Sequence, residues 1–379
     1  MNFELTESQK TLKTMARDFL EKECPKTVVR EIQESELGYS PELWRKMADL
    51  GWTSMIFPEK YGGEEVSLFD LAVLYDEMGR ALLPSPHLSS VVLSGLTILQ
   101  CGSEAIKEEF IPKIAKGELC FTLALTEPDY GWDASSIATT ATPDGDNYLI
   151  KGTKLFIPYA NAADYILVVA KTGDGIPEES ISLFIIDAKN SAGLSCIPLH
   201  GSFAEPLNEV IFDNVRVPKS NILGEVNKAW PCLSDVLKIG TVLQCAETIG
   251  GADFVLELTI NYSKERLQFG QYIGSFARIQ DRIFNMVNAL DKAKWVTYET
   301  AWRLSEGLPC DIEVSTAKAL SSLAYRTVCQ EAAHVFAGPG FMKDFDLWLY
   351  HKKAWTEKHY LGSPDLHRKI IARELLDVS

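Results

Sequence analysis

From residue 4 the apolar positions Leu5, Leu12, Met15, Ala16, Phe19 and Leu20 recur at helical spacing. Thr6, followed three residues on by Gln9, has the form of a capping box, so a first helix is expected to start there. Ser40-Pro41-Glu42 is a second start signal, a capping hydroxyl ahead of proline at the first helical position, before Gly51, Pro58, Gly62 and Gly63 break the chain into a loop. Two further helical stretches follow near 67–81 and 88–118. At residue 120 the period shortens, with β-rich runs at 120–126, 147–151, 164–170, 181–186 and 209–217 separated by Gly, Pro, Asn and Asp. After Pro231 the pattern is helical again over 232–261, 277–305, 312–337 and 346–376.

Helices, then strands, then helices predict an α+β fold: an N-terminal helical domain over 1–120, a central β domain over 121–231 built as a small sandwich or barrel, and a C-terminal four-helix bundle over 232–379. A chain of 379 residues, 46% of them apolar, has the length for more than one core. It has no internal repeat and no low-complexity linker. No apolar run is long enough to span a bilayer, and the opening MNFELTESQK is polar and acidic where a secretion signal would be basic and then apolar. A cytoplasmic protein without membrane insertion is expected.

The net charge of −15 argues against nucleic acid, which demands a concentrated basic surface. Lys343, Lys352, Lys353, Lys358, Arg368, Lys369 and Arg373 are the local exception, readable as a solvated helix face or as a polyphosphate site. Eight cysteines lie scattered without a C-x-x-C pair or a histidine cluster, so no metal site is expected and reduced thiols are the default.

Chemistry is concentrated in four segments. Leu125-Thr126-Glu127-Pro128, with Gly131-Trp132-Asp133 behind it, offers a hydroxyl and backbone amides at a strand end, a donor set suited to the edge of a planar heteroaromatic ring. Gly152-Thr153-Lys154-Leu155-Phe156-Ile157-Pro158 follows. In Arg266-Leu267-Gln268-Phe269-Gly270 the arginine can pair with phosphate and the phenylalanine can pack on a purine. Ala337-Gly338-Pro339-Gly340-Phe341 is backbone that a nucleotide could approach closely. Each has a plain structural alternative as turn or core.

In order and spacing these segments resemble the acyl-CoA dehydrogenase family over nearly the whole chain. Gly51-Trp52, Pro58-Glu59-Lys60-Tyr61-Gly62-Gly63, Ala163-Asp164 and Ala372-Arg373-Glu374 also match. The resemblance implies FAD as cofactor, an acyl-CoA substrate, an electron-transfer flavoprotein as redox partner, and a homo- or hetero-oligomer arranged as a dimer of dimers. It implies that Leu125 and Thr126 meet the isoalloxazine, with Trp132, Phe156 and Pro158 around it. Arg266 and Phe269 would reach the pyrophosphate and adenine of a flavin in a neighbouring subunit, with His334 and Gly338 along the same nucleotide. Ser363 belongs to the segment that in the family carries the catalytic base.

The departures concern that base. Family chemistry pairs removal of the proton α to the thioester by a carboxylate with hydride transfer to flavin N5. An ungapped reading from Gly340 puts Tyr360-Leu361-Gly362-Ser363 where the family has Tyr-Glu-Gly-Thr, so Leu361 replaces the base. The alternative location on the preceding long helix is Gly240. Trp132 stands for a serine, Pro158 for a threonine that bonds near N5, and His334 for a glutamine; proline removes both hydroxyl and amide. Glu247, two helical turns beyond Gly240, and Asp344 are substitute carboxylates, readable equally as an ion-paired residue and a surface acid, and neither is assigned as base. Three readings stand: an oxidoreductase for an unusual cyclic, aromatic or branched acyl-CoA, a non-catalytic subunit completing a partner's FAD site, and a flavin-dependent oxidase or oxygenase.

Overall fold

Thr6 caps the first helix as its spacing requires: its hydroxyl accepts from Gln9 N, and the Gln9 side chain accepts from Thr6 N at 2.9 Å. The computed structural model describes residues 4–129, 131–201 and 204–376. Helices α1 (Glu7–Glu23), α2 (Lys26–Glu34), α3 (Pro41–Asp49), α4 (Leu68–Ala81), α5 (Leu96–Cys101) and α6 (Glu104–Ala115) come first. Strands β1 (Phe121–Ala124), β2 (Thr140–Asp144), β3 (Asn147–Pro158), β4 (Tyr165–Lys171), β5 (Ile181–Asp187), β6 (Leu194–Pro198), β7 (Leu207–Pro218) and β8 (Ile222–Leu223) follow. Helix α7 (Trp230–Glu265), the short strands β9 (Leu267–Gln268) and β10 (Gln271–Tyr272), and helices α8 (Ala277–Ser305), α9 (Asp311–Phe336), α10 (Leu347–Glu357) and α11 (Pro364–Leu376) complete the chain.

By compactness the chain divides into two units, one of Met1–Glu31, Ser67–Leu83 and Thr241–Ser379, the other of Ile32–Val66 and Pro84–Gly240. The first is helical. In it α1 is tied to α4 by a two-pronged Arg17–Glu77 pair, at 2.9 and 2.7 Å, and by Lys13–Asp76 at 2.8 Å. Helices α4 and α7 cross backbone to backbone. A Cβ on Gly79 would overlap the carbonyl of Glu247, and one on Gly250 the carbonyl of Asp76. Only glycine permits that approach.

The second unit holds one mixed sheet in the order β6-β7-β3-β2-β4-β5-β8, with β1 parallel to β4. Ile150, Val168, Phe184, Val210 and Phe212 are fully or almost fully buried in its core. The sequence reading omits β2, β6 and β8. β2 contains proline and aspartate, β6 is largely exposed along the sheet edge, and β8 has two residues, so none carries a strong alternating pattern.

Two predicted helices are divided. The stretch near 88–118 is a π-helical segment, Leu88–Gly95, followed by α5 and α6, with Ser103 capping α6 after Gly102. The last predicted helix, 346–376, splits into α10 and α11 because Leu361 and Gly362 take left-handed backbone before Pro364.

The cysteine expectation is corrected. Cys101, at the end of α5, and Cys232, in the first turn of α7, form a disulfide across 131 residues, their Cα atoms 6.4 Å apart. No local spacing announces a pair brought together only by the fold. The other six are free thiols.

Candidate functional site

Five of the ten expected positions lie in each unit: Leu125, Thr126, Trp132, Phe156 and Pro158 in the sheet unit, Arg266, Phe269, His334, Gly338 and Ser363 in the helical one.

In the sheet unit, Leu125 and Thr126 follow β1 and are buried. Thr126 is locked to β3 through Leu155, whose N–H donates to Thr126 O at 2.8 Å while the Thr126 hydroxyl donates to Leu155 O. The next residue, Phe156, has φ 59°, a left-handed conformation costly for a bulky side chain, and stands where the β3–β7 register shifts between Lys154 and Ile157. Pro158 is buried at the end of β3 and its carbonyl accepts from the Thr122 hydroxyl at 2.7 Å. Trp132 is half-buried. It precedes Asp133, whose carboxylate accepts from Ser136 N at 3.1 Å and caps a short helical turn.

Beneath this edge lies a pair of residues that the sequence places in two motifs, Glu127 and Lys154, without giving either a role. Lys154 is fully buried, and its ammonium donates to Leu125 O at 3.0 Å and to Glu127 Oε1 at 2.7 Å. Glu127 also accepts from Ala138 N and Thr139 N, at 2.8 and 2.9 Å. Burial pushes the Lys154 ammonium down to about 8 against the opposing pull of Glu127. Burial alone would raise Glu127, but Lys154 and the two amides hold it below the usual carboxylate range. The signal available in sequence was a lysine in register with Tyr148, Ile150 and Gly152 on the inward side of a strand.

In the helical unit, β9 and β10 form a hairpin whose two-residue tip, Phe269-Gly270, has φ 53° and 78°. The Phe269 side chain is 93% exposed. Arg266 is exposed beside it, and its guanidinium takes no partner among the described residues. His334 is an exposed residue in the last turn of α9; Ala337 then turns the chain with φ 55°, and none of the described residues lies within 4 Å of where a Cβ on Gly338 would stand.

Leu361 is 4% exposed, with φ 56°. Its carbonyl lies 2.9 Å from His367 Nε2, so that nitrogen carries the proton and Nδ1 accepts from Ser315 Oγ at 3.2 Å. Gly362 has φ 95°, and a Cβ there would come 2.7 Å from His367 Nε2, so glycine is required twice over. Ser363 caps α11, accepting from Leu366 N at 3.2 Å.

Of the substitute carboxylates, Glu247 is buried in an ion pair with Lys353 at 2.8 Å. Lys353 also meets Glu357 Oε1 at 3.1 Å, while Thr248 donates to Glu357 Oε2 at 2.9 Å. Lys318 donates to Gln244 Oε1 and to the Glu357 carbonyl, at 2.6 and 2.7 Å, and burial lowers it to about 8. Two lysines and two glutamates thus share one buried network, and Lys353 is no member of a solvated helix face. Asp344 is exposed, as a surface acid would be.

Three family models match in series: the acyl-CoA dehydrogenase N-terminal domain over 6–118, the middle domain over 122–215 and the C-terminal domain over 227–376. The chain belongs to the acyl-CoA dehydrogenase family. It is 31% identical to a 3-(aryl)acrylate reductase of Clostridium sporogenes, over 98% of this chain and 99% of that one. It is also 31% identical, over the same shares, to CarC, a subunit of the caffeyl-CoA reductase–Etf complex of Acetobacterium woodii. The solved glutaryl-CoA dehydrogenase–glutaryl-CoA complex superposes with a TM-score of 0.93 at 28% identity, covering 100% of this chain and 98% of that one.

Four of the nine non-glycine residues with positive φ among the described residues, Phe156, Phe269, Ala337 and Leu361, lie in family motifs. Strain of this kind gathers at ligand sites and has no trace in composition.

Proposed function

We propose that this chain binds FAD and is an acyl-CoA dehydrogenase-type oxidoreductase for a cyclic, aromatic or branched acyl thioester. The observation that supports this most is Leu361, a buried leucine in the turn that an ungapped reading from Gly340 sets against the family's Tyr-Glu-Gly-Thr segment. The donor set fits an adenine-bearing flavin: a guanidinium at Arg266 with no partner among the described residues, an exposed ring at Phe269, and backbone at Gly338 that none of those residues crowds. Bound FAD would supply the hydride-accepting chemistry. Arg266 would pair with phosphate and Phe269 would pack on the purine of a flavin in a neighbouring subunit, while Leu125 and Thr126 would present their strand end to the ring of this chain's own flavin. The names of two relatives, an arylacrylate reductase and a caffeyl-CoA reductase subunit, favour an aryl-bearing acyl group and an electron-transfer flavoprotein as partner.

A second reading is a subunit that completes the FAD site of a partner carrying the base. It is favoured by Glu247, the substitute carboxylate nearest Gly240 in sequence, being committed to Lys353. Expression of the chain alone separates the two. A yellow protein bleached by an aryl-propionyl-CoA supports the first, and a yellow protein inert to every acyl-CoA until a glutamate-bearing homologue is added supports the second. A colourless protein, or one bleached fastest by butyryl-CoA, overturns the proposal.

A further inference from the structure

Peptide planes at the end of β1 are set by β3. A trans peptide points its C=O and N–H in opposite directions. Because the Leu125 carbonyl is turned onto the Lys154 ammonium, at 3.0 Å, the Thr126 N–H of the same plane is turned away from it. The following plane is held likewise, since Thr126 O accepts from Leu155 N. Lys154 reaches past Thr126 to grip Leu125 and Glu127, and Glu127 grips Ala138 and Thr139. One fully buried ammonium therefore joins three segments: the end of β1, the approach to β2, and the strained part of β3 at Phe156.

We propose that Lys154 is a positioning residue for the flavin ring, aiming the Thr126 N–H as an edge donor through its hold on the Leu125 carbonyl. The proposal rests on the reading that this chain binds FAD. A buried lysine is an expensive way to fasten a loop, since the ammonium has to be desolvated, and a methionine would fill similar space without that cost. What a methionine cannot do is turn the carbonyl. The expected consequence is a donor of fixed direction, which a ring with acceptors along one edge reads as both affinity and electronic environment.

The test uses the full chain stripped of flavin and titrated with FAD. The double variant Lys154→Met with Glu127→Gln removes both charges together, so no buried ion is left unpaired. It should bind FAD roughly tenfold or more weakly, the loss of about one hydrogen bond, and the visible band and midpoint potential of the FAD it does bind should shift. Glu127→Gln alone lets the buried Lys154 shed its proton and remain as an amine that still donates to the Leu125 carbonyl and to the new amide oxygen, so the carbonyl stays held. It should therefore match the parent in flavin spectrum and potential even if its melting temperature falls. A double variant whose bound flavin matches the parent in affinity, spectrum and potential overturns the inference while leaving FAD binding intact. So does a Glu127→Gln spectrum shifted from the parent's. A parent chain that takes up no FAD overturns the functional reading and this inference with it.

Discussion

Leu361 shows how much can turn on one side chain. A proton α to a thioester is weakly acidic, and a positioned base contributes ~10²–10⁴-fold to its removal. Leu361→Glu should therefore speed bleaching of the flavin by butyryl-CoA or octanoyl-CoA by a comparable factor; fast bleaching of the unmodified protein would point instead to a carboxylate already acting as base, Glu247 first. Two histidines carry a second prediction. His87 and His367 are buried against the carbonyls of Trp52 and Leu361, and burial lowers both to about 4. Below the ordinary histidine value the unfolded chain binds more protons than the folded one. Stability is thus complete above about pH 6.5 and declines as the pH falls towards about 4. Urea midpoints at about pH 7.5 and about pH 5 should differ by an amount that shrinks in His87→Gln; equal midpoints would mean that these rings are not buried neutral.

Among elements, the α4–α7 crossing and the β9–β10 hairpin make opposite demands. The crossing needs the absence of side chains, because a Cβ on Gly250 would overlap the Asp76 carbonyl. Gly250→Ala should lower stability by about 1–3 kcal/mol, the usual cost of overpacking, read as a lower denaturant midpoint; an unchanged midpoint would mean that the helices separate freely. The hairpin instead displays a phenylalanine at φ 53° and an arginine whose guanidinium has no partner among the described residues. Strain and exposure together are sustained where something else binds. Arg266→Ala should weaken FAD retention by about 1.5–3 kcal/mol, measured as an increased dissociation constant, and retention equal to the parent's would remove Arg266 from the phosphate site.

For the whole molecule the hairpin predicts assembly. Leu267 and Tyr272 are each 54% exposed beside Phe269, and a nucleotide site completed by a hairpin of another chain cannot close in a monomer. Sedimentation at micromolar concentration should show a species of at least two chains, homomeric or paired with a glutamate-bearing homologue. A flavin-loaded monomer would end that account. Among the described residues no helix is long and apolar enough to cross a membrane.

Amino-acid sequence alone determined the order of helices and strands, the caps at Thr6 and Ser40, and the family, because periodicity, capping and motif spacing are written in residues near one another. Counting along the chain also nominates Leu361 and Gly240 as the two places where a family carboxylate would be expected. The divided helix at 346–376 was half legible: Gly362 and Pro364 signal a break, but a leucine with positive φ does not, and its conformation rests on His367 six residues away. Only tertiary structure decided that Lys154 grips Leu125 and Glu127, that Glu247 is committed to Lys353, and that Cys101 meets Cys232. Each of these joins residues that are individually ordinary and distant in sequence. What makes them matter is desolvation: a charge or a thiol acquires its partner and its shifted proton affinity only when folding removes water from around it.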